Sequence, residues 1–511
     1  MKQIKLPLSK QHIGLVGMLT ICIGFWAFTG IEKNENSQPN NYDSCACFSP
    51  NNQLSKLTVY FNNQVPGDTK RPFTNQSQAD CFAWSEFISV NWPTKGNYFG
   101  DPNDFSPVAW ETYMPRNVLF QANGNPPPAW GTLVSNEFAA KFKTEKLIYN
   151  KSTTKVLTFL GTGVDTTIDL VFGDPNQAAP FGHPSWLGAQ NGVNLWYEIL
   201  LNKDYYDFVV KTGYYNAKTQ HDSAKAGIPL NFPQGVYNGQ VGAIEIKAAW
   251  MELTDTISAH WNRYKKSKAY VLDPGTRKMR QATVALVGMH ILHKTTTQPT
   301  WVWATFEQID NVPDKTRPAP PYGYNFYNSN CKAQQLNVPA SALGYDSLTS
   351  PVTIPCNANI PPPYYLKAGM KSVPLQLERT NIINTTNAQP INTNMRDTIK
   401  KYYPKSVWQY YELVDVIWSQ QVQPNPTKPI NVPRNLNPGY MNPLTIVANT
   451  TMESYVQGTN TCTSCHIYGT IADYPPDSVN NTIFGDFSFA IGDAKYPKPL
   501  QTKWKTSKGK H

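Results

Sequence analysis

Apolar positions along this chain change their period several times, and each period predicts a different element. From Ile13 to Ile31 the chain is apolar, broken only by small or hydroxyl residues, and Lys2, Lys5 and Lys10 precede it. Residues 32–75 are rich in Asn, Gln, Ser and Asp and read as a tether. Between Ser77 and Pro93, Ala83, Trp84, Phe87 and Ile88 recur at helical spacing. Ser77 with Asp80 resembles a helix start and Pro93 a stop, which predicts a short buried helix. Ile244, Ile246, Ala248 and Trp250 alternate with Glu245 and Lys247, the period of a half-buried strand. Thr283 to Lys294 is almost continuously apolar and rich in Val, Leu and Ile, which suits a strand buried on both faces. Trp301 to Ile309 follows a Pro-containing turn and predicts a hairpin-like partner for it. Ser406 to Trp418 is apolar on both parities and is read as strand rather than helix. Residues 313–363 are rich in Pro, Asn and Tyr and read as long loops. The fold expected is mainly β with some α.

Composition agrees with that expectation. Aromatic residues make up 13% of the chain, charged residues only 16%, and there are 42 Pro, a balance that suits strands and long loops better than a helical bundle. The net charge of +10 is spread along the chain. Its densest clusters are Arg263, Lys265, Lys266 and Lys268, and the tail from Lys503 to Lys510. Without a nucleic-acid motif beside them they read as solvated basic faces, and no nucleic-acid partner is expected. The 14 Trp and 28 Tyr are read mostly as core and loop packing.

The apolar run Ile13 to Ile31 after a basic flank is the pattern of a secretory signal or signal anchor. Nineteen such residues just span a bilayer. No small-x-small cleavage site follows, and Ile21 stands before Cys22 where a lipoprotein signal needs a small residue. An anchor at residues 13–31 is therefore preferred, with the bulk of the chain on the periplasmic side. Cysteine usage fits an oxidising compartment: Cys331 pairs most readily with Cys356, and Cys81 with Cys45 or Cys47.

The sharpest chemical signal is Cys462-Thr463-Ser464-Cys465-His466. Cys-x-x-Cys-His is the spacing at which c-type haem is attached: two thiols form thioethers with the porphyrin vinyl groups, and the adjacent imidazole reaches the iron. A zinc site would need a fourth ligand, and Cys45 and Cys47 have the wrong spacing. A dithiol redox pair needs a βαβ setting, whereas this motif follows a segment rich in Asn and Thr. One covalent haem c at Cys462 and Cys465, with His466 as the proximal ligand, is the expectation.

The second iron ligand is open. No Met follows Met452, so the distal group lies upstream or is absent. Met441 and Met452 are near in sequence, whereas His290 and His293 are remote. Each reads more readily as a core side chain than as a ligand. On a strand His290 and His293 would face opposite sides and could not chelate together.

Four segments resemble an uncharacterised family of exported bacterial proteins described as cytochrome c family proteins: Cys81 to Pro93, Val287 to Lys294, Trp301 to Asn311, and Asn449 to Gln457 leading into the motif. The resemblance spans about residues 80–470 and implies haem binding and electron transfer, without a substrate. The organisation expected is a signal anchor or signal peptide at 1–31, a tether at 32–75, a β-rich body at 76–400 and a small haem-bearing C-terminal region at 401–511. The function expected is electron transfer to a redox partner protein. Its rivals are a haem enzyme, peroxidase- or oxygenase-like, with an open distal site in the body, and a binding protein in which haem is mainly structural.

Overall fold

The run that begins at Thr283 lies, up to His293, within the longest strand among the described residues, and the rest of the sheet is built outward from it. The computed structural model describes residues 61–96, 98–157, 185–193, 195–255, 259–272, 278–314, 317–331, 336–338, 340–341, 375–419, 441–442, 447–458, 462–466, 469–473 and 483–496. The expected anchor at 13–31, Cys22, Cys45, Cys47, Cys356 and the basic tail lie outside these residues. Among the described residues no helix is long and apolar enough to cross a membrane.

The strands are β1 (Met114–Pro115), β2 (Lys155–Leu157), β3 (Ser185–Trp186), β4 (Leu195–Leu201), β5 (Ile244–Glu252), β6 (Lys266–Leu272), β7 (Met279–His293), β8 (Val302–Gln308), β9 (Ala340–Ser341), β10 (Tyr411–Ser419) and β11 (Met441–Asn442). The helices are α1 (Gln76–Val90), α2 (Arg116–Leu119), α3 (Asn136–Thr144), α4 (Lys203–Thr212), α5 (Ala217–Lys225), α6 (Ala388–Tyr402) and α7 (Cys462–His466). The main sheet runs β1-β4-β5-β7-β8-β10-β11, with β6 also on β7 and β2 parallel to β6. One edge of β7 carries β5, while its other edge takes β6 along its first half and β8 along its second. Register shifts opposite Ala249/Trp250 and at Leu413/Asp415 bend the strands, and the sheet curls into a half-barrel. The fold is thus mixed, a β-rich sheet clothed by helices.

The two faces of the sheet bury different partners. On one, Ile246, Trp250, Met289, Ile291, Ala304, Phe306, Val416 and Trp418 pack with Phe82, Trp84 and Phe87 of α1 and Ile391, Met395 and Ile399 of α6. Each large apolar side chain buried there contributes roughly 1.5–3 kcal/mol. On the other face, Leu292, Trp303 and Ile417 pack with Tyr205 and Val209 of α4 and with Ile471, Phe487 and Ile491 near the chain end. Residues on both sides of position 400 share this sheet, because β10 pairs with β8.

Most of the expected elements are present, with revealing differences. Helix α1 begins at Gln76, because Asn75 rather than Ser77 caps it: its side chain accepts the Gln78 N–H at 3.1 Å. Strand β5 is buried on both faces apart from Lys247 and Glu252, since helices and loops cover both sides of the sheet. The segment Ser406 to Trp418 is strand only from Tyr411, after a single tight turn at Val407–Tyr410.

The basic cluster is not a solvated face. Lys265 and Lys266 are buried, Lys265 pairs with Glu111 at 3.2 Å, and Arg263 with Asp310 at 2.6 Å. Lys266, the first residue of β6, instead lies with its ammonium over the Phe105 ring, 5.2 Å from its centroid. Cys81 and Cys331 are each disulfide-bonded.

Candidate functional site

Helix α7 consists of the motif itself, Cys462–His466. Positions i, i+3 and i+4 share one face of a helix, so both thiols and the imidazole project from the same side. Cys462 and Cys465 are not joined to each other, although Cys81 and Cys331 are oxidised in the same chain. Burial pushes the Cys462 thiol well up, reinforced by Glu453 and then Cys465. A thioredoxin-type pair requires the opposite shift.

The chain returns to the motif and fixes its histidine. Beyond α7, Gly469 to Ile471 pairs with Ile483 to Gly485: the Ile471 N–H donates to the Ile483 carbonyl at 3.1 Å and the Gly485 N–H to the Gly469 carbonyl at 2.9 Å. The next turn presents the Phe487 carbonyl to His466 Nδ1 at 2.8 Å. A carbonyl only accepts, so Nδ1 carries the proton and the lone pair is on Nε2. Burial pushes the imidazole down to about 4, which keeps it neutral at ordinary pH; Lys247 and His290 push the same way. Trp303 of β8 and Phe489 stand edge-on to the ring, each at 4.8 Å between centroids. Trp303 is buried, while Phe489 is 40% exposed.

The proposed distal candidates separate clearly. His293 faces α1, where it bonds to Glu86 and, through Nε2, to the Val241 carbonyl at 2.6 Å; it is a satisfied core histidine. Met452 is fully buried in an apolar cluster with Tyr197, Val287 and Leu377. Met441 lies on β11, at the sheet edge. His290 faces the other side of the sheet from His293, as their spacing predicts, and its Nε2 meets Glu453 Oε1 at 3.0 Å. It sits beside Lys247 in register and diagonal to Trp303, the residue that touches His466. Burial would raise Glu453, but His290 and Lys247 hold it below the usual carboxylate range.

Among the described residues no three His, Cys, Asp or Glu side chains converge as a metal chelate. The donor set does fit haem c: two thiols not joined to each other and a neutral imidazole on one helical face, with the rings of Trp303 and Phe489 against the imidazole. Sequence reasoning found the motif but missed its supports, the Phe487 carbonyl and Trp303. The dipeptide Gly485-Asp486, a turn signal, is the trace they leave in the sequence. No protein-family model, curated protein or solved structure matches the chain.

Proposed function

We propose that this is an exported c-type haem protein that transfers electrons, with haem held by thioethers to Cys462 and Cys465 and by His466 Nε2. When bound, the haem supplies one-electron chemistry at iron. The observation that carries the reading is the shared helical face of the two thiols and an imidazole whose Nδ1 proton is committed to Phe487. That hydrogen bond fixes the tautomer and ring orientation and makes the imidazole a stronger donor. Disulfides at Cys81 and Cys331 support export to an oxidising compartment, with residues 13–31 as the anchor and a redox protein as the partner. The resemblance to exported cytochrome c family proteins points the same way.

The test is expression with the c-type haem maturation machinery, followed by mass measurement and haem staining after denaturation. The intact chain is expected to retain haem, and Cys465→Ala to lose one of its two thioethers. A chain that carries no covalent haem, or a variant that keeps both thioethers, refutes the proposal.

A second reading, a haem enzyme with an open distal side, is favoured by the His290–Glu453 pair. A histidine held by a carboxylate on the same sheet face as Trp303 could move a proton there. Optical spectra separate the two readings: rapid binding of carbon monoxide by the ferrous protein supports the enzyme, and a six-coordinate spectrum that excludes it supports the carrier.

A further inference from the structure

Two consecutive non-glycine residues beside the motif histidine have left-handed backbone, Asp486 at φ 52° and Phe487 at φ 65°. The Ser488 N–H donates to the Gly485 carbonyl at 3.0 Å, so they are the inner residues of a turn with positive φ at both places, as in type I′. Asp tolerates this conformation; Phe gains nothing from it, because its Cβ crowds the carbonyl oxygen in the left-handed region. The turn is nevertheless over-determined. The Asp486 carboxylate is buried, bonds to the buried ammonium of Lys294 just past the end of β7, and accepts the Phe232 N–H at 2.9 Å. Its backbone carbonyl accepts the Trp301 indole N–H at 3.0 Å, and Ser488 Oγ meets the Tyr205 hydroxyl at 2.9 Å.

These contacts hold in place the one carbonyl that binds His466 Nδ1. A buried ion pair is a poor source of stability, since apolar replacements often do as well, but it does fix geometry. We infer that Lys294 and Asp486 are positioning residues for the motif imidazole, clamping a strained turn so that the Phe487 carbonyl sets the direction of His466 Nε2. Its consequence for haem rests on the function proposed above; the tie between the ion pair and the imidazole does not.

The full-length protein is compared with Asp486→Asn and with the double variant Lys294→Met/Asp486→Asn. The single variant keeps an oxygen for the Phe232 N–H but leaves Lys294 buried and unpaired. The double variant removes both charges and is expected to regain thermal stability. In both, the His466 Nδ1 proton, followed by NMR of nitrogen-labelled protein, is expected to exchange with solvent about ten-fold faster, the effect of losing one hydrogen bond. The reduction potential is expected to rise in both, because the imidazole loses the carbonyl that makes it a stronger donor. A double variant with unaltered exchange and potential overturns the inference and leaves the pair a structural role only. If the parent carries no covalent haem, the haem proposal fails. Proton exchange in that haem-free protein still decides the inference: faster exchange in the double variant supports it, and unaltered exchange overturns it.

Discussion

Gly288, on β7, is the point where two segments far apart in the chain meet, and replacing it by Ala tests how the approach to the motif is anchored. Its backbone is not left-handed, so Ala meets no torsional penalty there. The obstacle is steric: a Cβ would stand 2.0 Å from Thr451 Oγ1 and 2.9 Å from Asn449 Oδ1. Neither neighbour is a flexible chain end. Asn449, Thr450 and Thr451 are fully buried; Thr451 Oγ1 donates to Asn449 Oδ1 at 2.6 Å, and Asn449 Nδ2 donates to the Phe306 carbonyl at 3.0 Å. Making room therefore means overpacking, at roughly 1–3 kcal/mol, and the loss of a hydrogen bond or two, at about 1 kcal/mol each. A loss of about 3 kcal/mol in unfolding free energy is expected, read by urea denaturation monitored by Trp fluorescence. Thr451→Ala removes the nearest atom, so the double variant should be more stable than Gly288→Ala alone, with the two substitutions coupled by at least about 1 kcal/mol. A loss below about 1 kcal/mol for Gly288→Ala, or a double variant no better than the single one, refutes this account.

Asp80 and Asp415 form a buried acid pair linked through Gln76, at 2.8 and 3.0 Å. Burial raises both above their usual value, Asp415 to about 6, with Asp415 raising Asp80 further. The protonated forms favour the fold, so stability is greatest below the unfolded value near 4 and falls as pH rises through about 6. Asp80→Asn should raise the melting temperature at pH 8 and leave it almost unchanged at pH 4; an equal shift at both would exclude the linkage. Arg379→Met strands buried Glu307, which also accepts the Thr450 N–H at 2.6 Å, and should cost about 3–5 kcal/mol in chemical denaturation. Met452→Leu conserves volume in the core and should cost under about 1.5 kcal/mol. In the haem-loaded protein proposed above it should also leave the optical spectrum unchanged, and a changed iron ligand-field band would restore Met452 as a ligand.

The pattern of apolar residues was enough to place α1, β5, β7 and β8, because a strand or helix that must bury its faces writes its period into neighbouring positions. The same reasoning separated His290 from His293, and the Cys-x-x-Cys-His spacing marked the candidate site, since the attachment chemistry proposed for it confines those groups to a few consecutive residues. Burial of Lys265 and Lys266 was not legible, because the acids and rings that accept them come from distant segments such as Glu111 and Phe105. Nor was the sharing of one sheet by β8 and β10, which local period cannot reveal. What only the tertiary structure decided is how His466 is held: by a carbonyl 21 residues onward, a tryptophan 163 residues back and, through Asp486, a lysine just past the end of the central strand. Such contacts depend on three-dimensional packing between remote residues, and a backbone carbonyl carries no side-chain identity by which a sequence could announce it.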